Sequence, residues 1–276
     1  MTRVLLALQL VALCVGLTAC GGDALALDPV ASAAAKTVET GSSRVEFTVA
    51  MKVDGESVGM SGSGAFDYQG ARGEATYRMQ LPMFGEVGMD MRMVGTKIFV
   101  RLPEAISGGL TGGKEWVGVD VGKSLEQAGL GSLDFTQQQD PGQTLQYLRA
   151  ASTGVTEAGS ATVRGVETTR YTGRLDFRKA LEEGIDGLGL PAAERQRARE
   201  GMQRMLDQLG ANGVPFEVFV DDDGLLRRMR MDLSMTVEGE SMTMAMKMDY
   251  FDFGTDVNVH APPPSDVFDA TGLLRP

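Results

Sequence analysis

The sequence predicts an α+β protein: a strongly curved antiparallel β-sheet, a half-barrel, with helices covering its concave face. Three observations lead there. Apolar and polar residues alternate with a period of two over most of the chain from Arg44 onward. Short turn sequences such as Asp54-Gly55 separate the alternating runs. Only a few stretches carry apolar residues at helical spacing.

In chain order, residues 1–19 read as an export signal. Arg3 supplies a positive start, and residues 4–17 form an apolar run shorter than the roughly 20 residues a membrane-spanning helix needs. The run ends in Leu17-Thr18-Ala19-Cys20, the pattern of a bacterial lipobox, in which the cysteine thiol is acylated and becomes the new N-terminus. An ordinary secretory cleavage near Ala24 to Ala26 is the competing reading. Residues 20–42, opened by Gly21-Gly22-Asp23 and rich in small residues, are expected to be a flexible tether, in which Ala31 to Lys36 can start a short helix. The folded domain is expected over 43–270, with 271–276 as a tail.

The first strand carries Val45, Phe47, Val49, Met51 and Val53 on one face. The second carries Val58, Met60, Phe66 and Tyr68, with Gly62 and Gly64 between them, which suggests strong curvature or a close approach by another group. Ala75, Tyr77, Met79 and Leu81 make the next face, then Val87, Met89, Met91 and Met93, then a more continuous apolar strand over 97–101. A helix is expected after Asp140-Pro141-Gly142, carrying Leu145 and Leu148, and a shorter helical piece over 125–133. Strands resume near Val155 and over 161–176. Helices follow over 177–185 and 191–209, the second opened by Pro191, closed by Gly210, and carrying Met202, Met205, Leu206 and Leu209. The last third returns to hairpins. Phe216, Val218 and Val220 lead to Met229, Met231, Leu233 and Met235, then Met242, Met244, Met246 and Met248, before a polar, proline-rich tail.

Composition narrows the function. A net charge of −11, spread without blocks, argues against a nucleic-acid partner. Both cysteines, Cys14 and Cys20, precede the folded part, so no disulfide, thiolate nucleophile or cysteine metal site is expected there. The one histidine, His260, sits beside the proline-rich tail, and no nucleophile–base pair can be named. No enzyme activity and no cofactor are expected. Asp221 to Asp223 lack the spacing of a calcium loop and read as a solvated turn, and the glycine-rich stretch from Gly108 to Lys114 lacks a phosphate-loop signature and reads as a mobile loop before Trp116, a core anchor.

What remains is methionine. The chain has 17, many on the inward side of strands, where β-branched and aromatic residues are the usual choice. A flexible thioether suits an adaptable apolar binding wall, and equally serves as plain core filler. The expected lipid-binding lining is Phe47, Val49, Met51, Met60, Phe66, Tyr77, Met79, Met89, Met91, Met93, Leu145, Leu148, Met202, Met205, Met229, Met231, Leu233, Met242, Met244 and Met246. Lipidation is expected at Cys20, placing the protein on the outer face of the bacterial cytoplasmic membrane.

The lipobox, the curved meander, the strand VRGVETTRY over 163–171 and the hairpin VDDDGLLRR over 220–228 resemble actinobacterial lipoproteins of the LppX/LprG type, part of a wider group similar to LolA and LolB. Phe251-Asp252-Phe253-Gly254 and the Pro262 to Pro264 run fit as well, so the resemblance spans most of the mature chain. It implies a half-barrel closed by helices, with a lipid or glycolipid held between sheet and helices, in a monomer with an envelope transporter as candidate partner. The alternative is a regulatory or scaffold lipoprotein that binds a protein.

Overall fold

The structure, a computed structural model, describes residues 29–53, 56–81, 85–103, 109, 111–125, 152–176, 178–179, 185, 191–209, 213–237 and 240–273. Twelve strands form one curved, open sheet: β1 (Ser42–Val53), β2 (Glu56–Asp67), β3 (Arg72–Leu81), β4 (Gly85–Val94), β5 (Lys97–Arg101), β6 (Trp116–Asp120), β7 (Ser152–Val163), β8 (Val166–Leu175), β9 (Val214–Asp221), β10 (Leu226–Val237), β11 (Glu240–Phe251) and β12 (Val267–Asp269). Their order is β12-β6-β5-β4-β3-β2-β1-β11-β10-β9-β8-β7, antiparallel except for the parallel pair β12–β6. Three α-helices are described: α1 (Pro29–Glu39), α2 (Val121–Leu125) and α3 (Ala192–Leu209). The α+β class and the curved antiparallel sheet are as the alternation predicted.

Register puts every alternating apolar set on one face, here termed inner. Phe47 lies opposite Met248, Val49 opposite Met246 and Met51 opposite Met244, while Met231 and Leu233 flank the same methionines from β10. On the other side of β1, Met60 pairs with Val49 and Met79, and Tyr77 pairs with Met89. Because directly opposed residues of an antiparallel pair share a face, one apolar surface runs from β9 to β4.

The glycines expected to mark a close approach do so. A Cβ at Gly62 would lie 2.4 Å from Phe47 Cζ, and Phe47 is its registered partner. The same arrangement recurs at Phe66–Gly73 (2.4 Å to Phe66 Cδ1), Phe99–Gly118 and Phe216–Gly173. In each, a ring lies over a strand that offers no side chain, so the ring covers exposed backbone and the glycine provides its seat.

Helix α1 falls inside the segment expected as a tether. Its alanines provide a small-residue surface for close packing: Ala33 joins the inner-face cluster, and the Thr37 hydroxyl accepts a hydrogen bond from Leu226 N (2.8 Å) at the start of β10. Helix α2 begins directly at the end of β6, where Asp120 Oδ1 caps it by accepting from Lys123 N (3.2 Å); the helical piece expected over 125–133 lies, beyond Leu125, outside the described residues. Helix α3 follows Pro191 as expected and touches β10. The helix expected to carry Leu145 and Leu148 lies outside the described residues.

The proline-rich tail is a structural strap. From Gly254, whose N–H donates to Ser42 O, it runs to the far edge of the sheet and adds β12 beside β6. The Thr271 hydroxyl accepts from Asp120 N (3.0 Å), and the Lys114 ammonium donates to Ser265 O. Residues 111–114, expected in a mobile loop, are instead a turn closed on itself, with Thr111 Oγ1 donating to Lys114 O (2.7 Å).

The outer face is charged, as expected, and several of its charges are paired. Arg228 holds Asp249 with two hydrogen bonds (2.5 and 2.6 Å), Arg164 reaches Glu46 (2.7 Å), and Arg170 and Arg230 share Glu217. Trp116 is buried on this side, with the guanidinium groups of Arg92 and Arg101 over its ring at 4.8 and 5.6 Å. It is a core anchor, but of the outer face.

Candidate functional site

The candidate site is the inner face itself. Its floor on β1, β9, β10 and β11 is closely packed: Val45, Phe47, Val49, Val218, Met231, Leu233, Met244, Met246, Met248 and Tyr250 are all buried in one cluster. Toward β4 the same cluster becomes half-buried, with Met79, Met89, Met91 and Met93 packed against it and only partly covered.

All the expected lining residues but four are in this one cluster: Phe47, Val49, Met51, Met60, Phe66, Tyr77, Met79, Met89, Met91, Met93, Met229, Met231, Leu233, Met242, Met244 and Met246. Leu145, Leu148 and Cys20 lie outside the described residues, as do the side chains of Met202 and Met205 on α3. The cluster also holds residues outside that expected set, among them Ala33, Val45, Ala75, Tyr171, Leu175, Val214, Phe216, Val218, Val220, Leu226, Met248 and Tyr250. The period-two run of β9 signalled Phe216 and Val218, and the short helix expected from Ala31 signalled the segment that carries Ala33.

The strands bring no cation to this face. Across β8 to β11 and β1 to β6 the inward register positions carry no lysine or arginine. Its central polar groups are the hydroxyls of Ser43 and the tyrosines, with Glu56 and Glu240 in inward register at the hairpin ends. Burial raises the phenols of Tyr68, Tyr77 and Tyr250 above their ordinary value, Tyr77 to about 12, although at Tyr68 the Ser43 hydroxyl opposes the shift. Tyr68 Oη pairs with Ser43 Oγ (2.5 Å), whereas Tyr77 Oη reaches Met91 Sδ at 3.2 Å.

A separate recess of about 290 Å3 lies at the rim, lined by Val163, Arg164, Val166, Arg227, Tyr250, Phe251 and Asp252. Its cations are occupied, Arg164 by Glu46 and Arg227 by Asp221 (2.5 Å). Asp221, expected in a solvated turn, is therefore buried: it accepts from Arg227 and from Leu225 N, leaving Asp222 and Asp223 exposed. Among the described residues no cluster of His, Cys, Asp or Glu suits a metal ion, and His260 is exposed.

No protein-family model matches the chain. Over 200 residues, 69% of its length, it is 28% identical to the "Uncharacterized 31.2 kDa protein in rplA-rplJ intergenic region" of Streptomyces griseus, of which it spans 59%. The solved structures to which it is similar include two mycobacterial proteins. The lipoprotein LppX of Mycobacterium tuberculosis has a TM-score of 0.43 at 14% identity, covering 82% of this chain and 94% of that one. LprF of Mycobacterium bovis has a TM-score of 0.42 at 16% identity, covering 82% and 92%. At such identities and TM-scores neither carries a ligand or a residue role across to this chain.

Proposed function

We propose that this chain is a cell-envelope lipoprotein, anchored through Cys20 on the outer face of the cytoplasmic membrane, that holds the acyl chains of a lipid or glycolipid against the inner face and carries or presents it. The observation that supports this most is the continuous, cation-free methionine face whose rows change from buried at Met244, Met246 and Met248 on β11 to half-buried on β4. A hydrocarbon chain laid on the half-buried rows gains about 0.8 kcal/mol per methylene removed from water. Measured against the bilayer, where the chain is already dry, the gain is close to nothing. A protein of this kind can therefore take up a lipid without trapping it. Flexible thioethers let one wall fit chains of differing length and kink. Two or more acyl groups at Cys20 would keep the domain at the membrane, since one chain binds only marginally.

Mass spectrometry of full-length protein extracted gently from membranes tests this reading. A noncovalent lipid at near-equal stoichiometry is expected beside the covalent anchor, and Cys20→Ser is expected to lose the anchor and leave the membrane fraction. Protein free of lipid, with one stoichiometric protein partner, would contradict the carrier reading and favour the scaffold one.

A further inference from the structure

We propose that the Tyr77 hydroxyl is the polar anchor of the inner face, donating a hydrogen bond to the carbonyl oxygen of an ester-linked acyl chain, an assignment that rests on the lipid-holding reading above. Tyr77 is 8% exposed, and its Oη has only a thioether, Met91 Sδ, within hydrogen-bond distance among the described residues. Sulfur is a weak acceptor, so a strong donor is held in an apolar surface without a matching oxygen.

The surroundings aim that donor at the half-covered rows. The Phe47 ring, seated over Gly62, lies 4.9 Å from the Tyr77 ring at 51° and closes the side toward β1. The phenol therefore leans toward β4, where Met89 is its cross-strand partner and Met91 its sulfur contact, both half-buried. Unbranched methionine side chains can turn aside for a ligand atom more readily than branched ones. Tyr250 has a similar sulfur contact, to Met248 Sδ at 3.8 Å, but is 2% exposed within the closed half. Burial keeps the Tyr77 phenol protonated, and hence a donor, through the physiological range.

Charge selects the ligand class. The strands place no cation in register on this face, so a free carboxylate or a phosphate laid on β2 to β5 would gain no counter-charge from them. An ester carbonyl is a neutral acceptor and matches one hydroxyl. The head group then stays outside while the ester linkage sits at Tyr77 and the hydrocarbon lies along the methionines.

The test uses full-length protein, delipidated and held in amphipol, and two fluorescent phosphatidylcholines of equal chain length, one diacyl and one dialkyl ether. The wild type is expected to bind the diacyl probe about 3- to 10-fold more tightly, the span of one net hydrogen bond. Tyr77→Phe is expected to bind both probes alike, with ether affinity unchanged. In the wild-type complex the ester carbonyl stretch should move to lower frequency, a readout that needs no variant. Equal affinities and an unshifted carbonyl in the wild type, or discrimination retained by Tyr77→Phe, would overturn the anchor and leave the carrier reading standing. Binding of neither probe would overturn both.

Discussion

Two methionine rows share one face of one sheet at the same period-two spacing, yet they differ in cover. Met244, Met246 and Met248 on β11 are 6–7% exposed, whereas Met89, Met91 and Met93 on β4 are half-buried. The cause is the cross-strand partners. Met246 sits between Val49 and Met231, Met244 between Met51 and Leu233, and Met248 between Phe47 and Met229. On β4, Met91 sits between Ala75 and Val100, and Met93 between Gly73 and Ile98. Small partners on β3 leave the Met91 and Met93 thioethers with fewer atoms to pack against, whereas Met89 faces Tyr77 on β3 and lies beyond the end of β5, which gives it no partner on its other side. One row is core and the other is wall, and residue type alone does not separate them.

The closed half should be the more sensitive to change. Asp249 is 4% exposed and binds Arg228 through both oxygens, so Asp249→Ala leaves a guanidinium without its carboxylate. A loss of about 3–5 kcal/mol is expected in denaturant unfolding. Met246→Ala, opening a void among Val49, Met231 and their neighbours, should cost about 2–4 kcal/mol.

Tyr77, at the border of the two halves, gives a pH signature. Its folded pKa of about 12 stands above the unfolded value of 10.0, so its contribution is complete below pH 10 and is lost as pH rises through 12. The loss should reach roughly 2–3 kcal/mol by pH 12, and the stability difference between wild type and Tyr77→Phe should change over that window alone. The smallest effect belongs to the wall: Met91→Ala, at a half-buried site, should cost about 1 kcal/mol or less, against the larger cost at Met246. Equal costs at Met91 and Met246 would erase the distinction between core and wall.

Much of this fold was legible because β-strands write their faces into the sequence. The alternation in β1, β10 and β11 identified the inner residues individually, and Gly62 announced the ring that lies over it. The difference between Met91 and Met246 was not legible, since cover depends on partners brought in by register. At β5, Lys97–Arg101, three consecutive apolar residues hide which face is buried; Phe99 points outward with Trp116, under Val267 of the strap. Strand β12, three residues in a proline-rich stretch, is too short to show a period. Helix α1 was legible in part: the run from Ala31 to Lys36 signalled a short helix, but the full span Pro29–Glu39 lies inside the segment expected as a tether, because the same alanines suit both.

Methionine oxidation read residue by residue, with and without bound diacyl lipid, tests the central claim most directly. Peroxide converts accessible thioethers to sulfoxides. Met89, Met91 and Met93 should oxidise quickly in lipid-free protein and become protected when lipid is bound, while Met244, Met246 and Met248 stay slow in both. Identical oxidation of the β4 row in the two states would contradict an acyl chain lying on it.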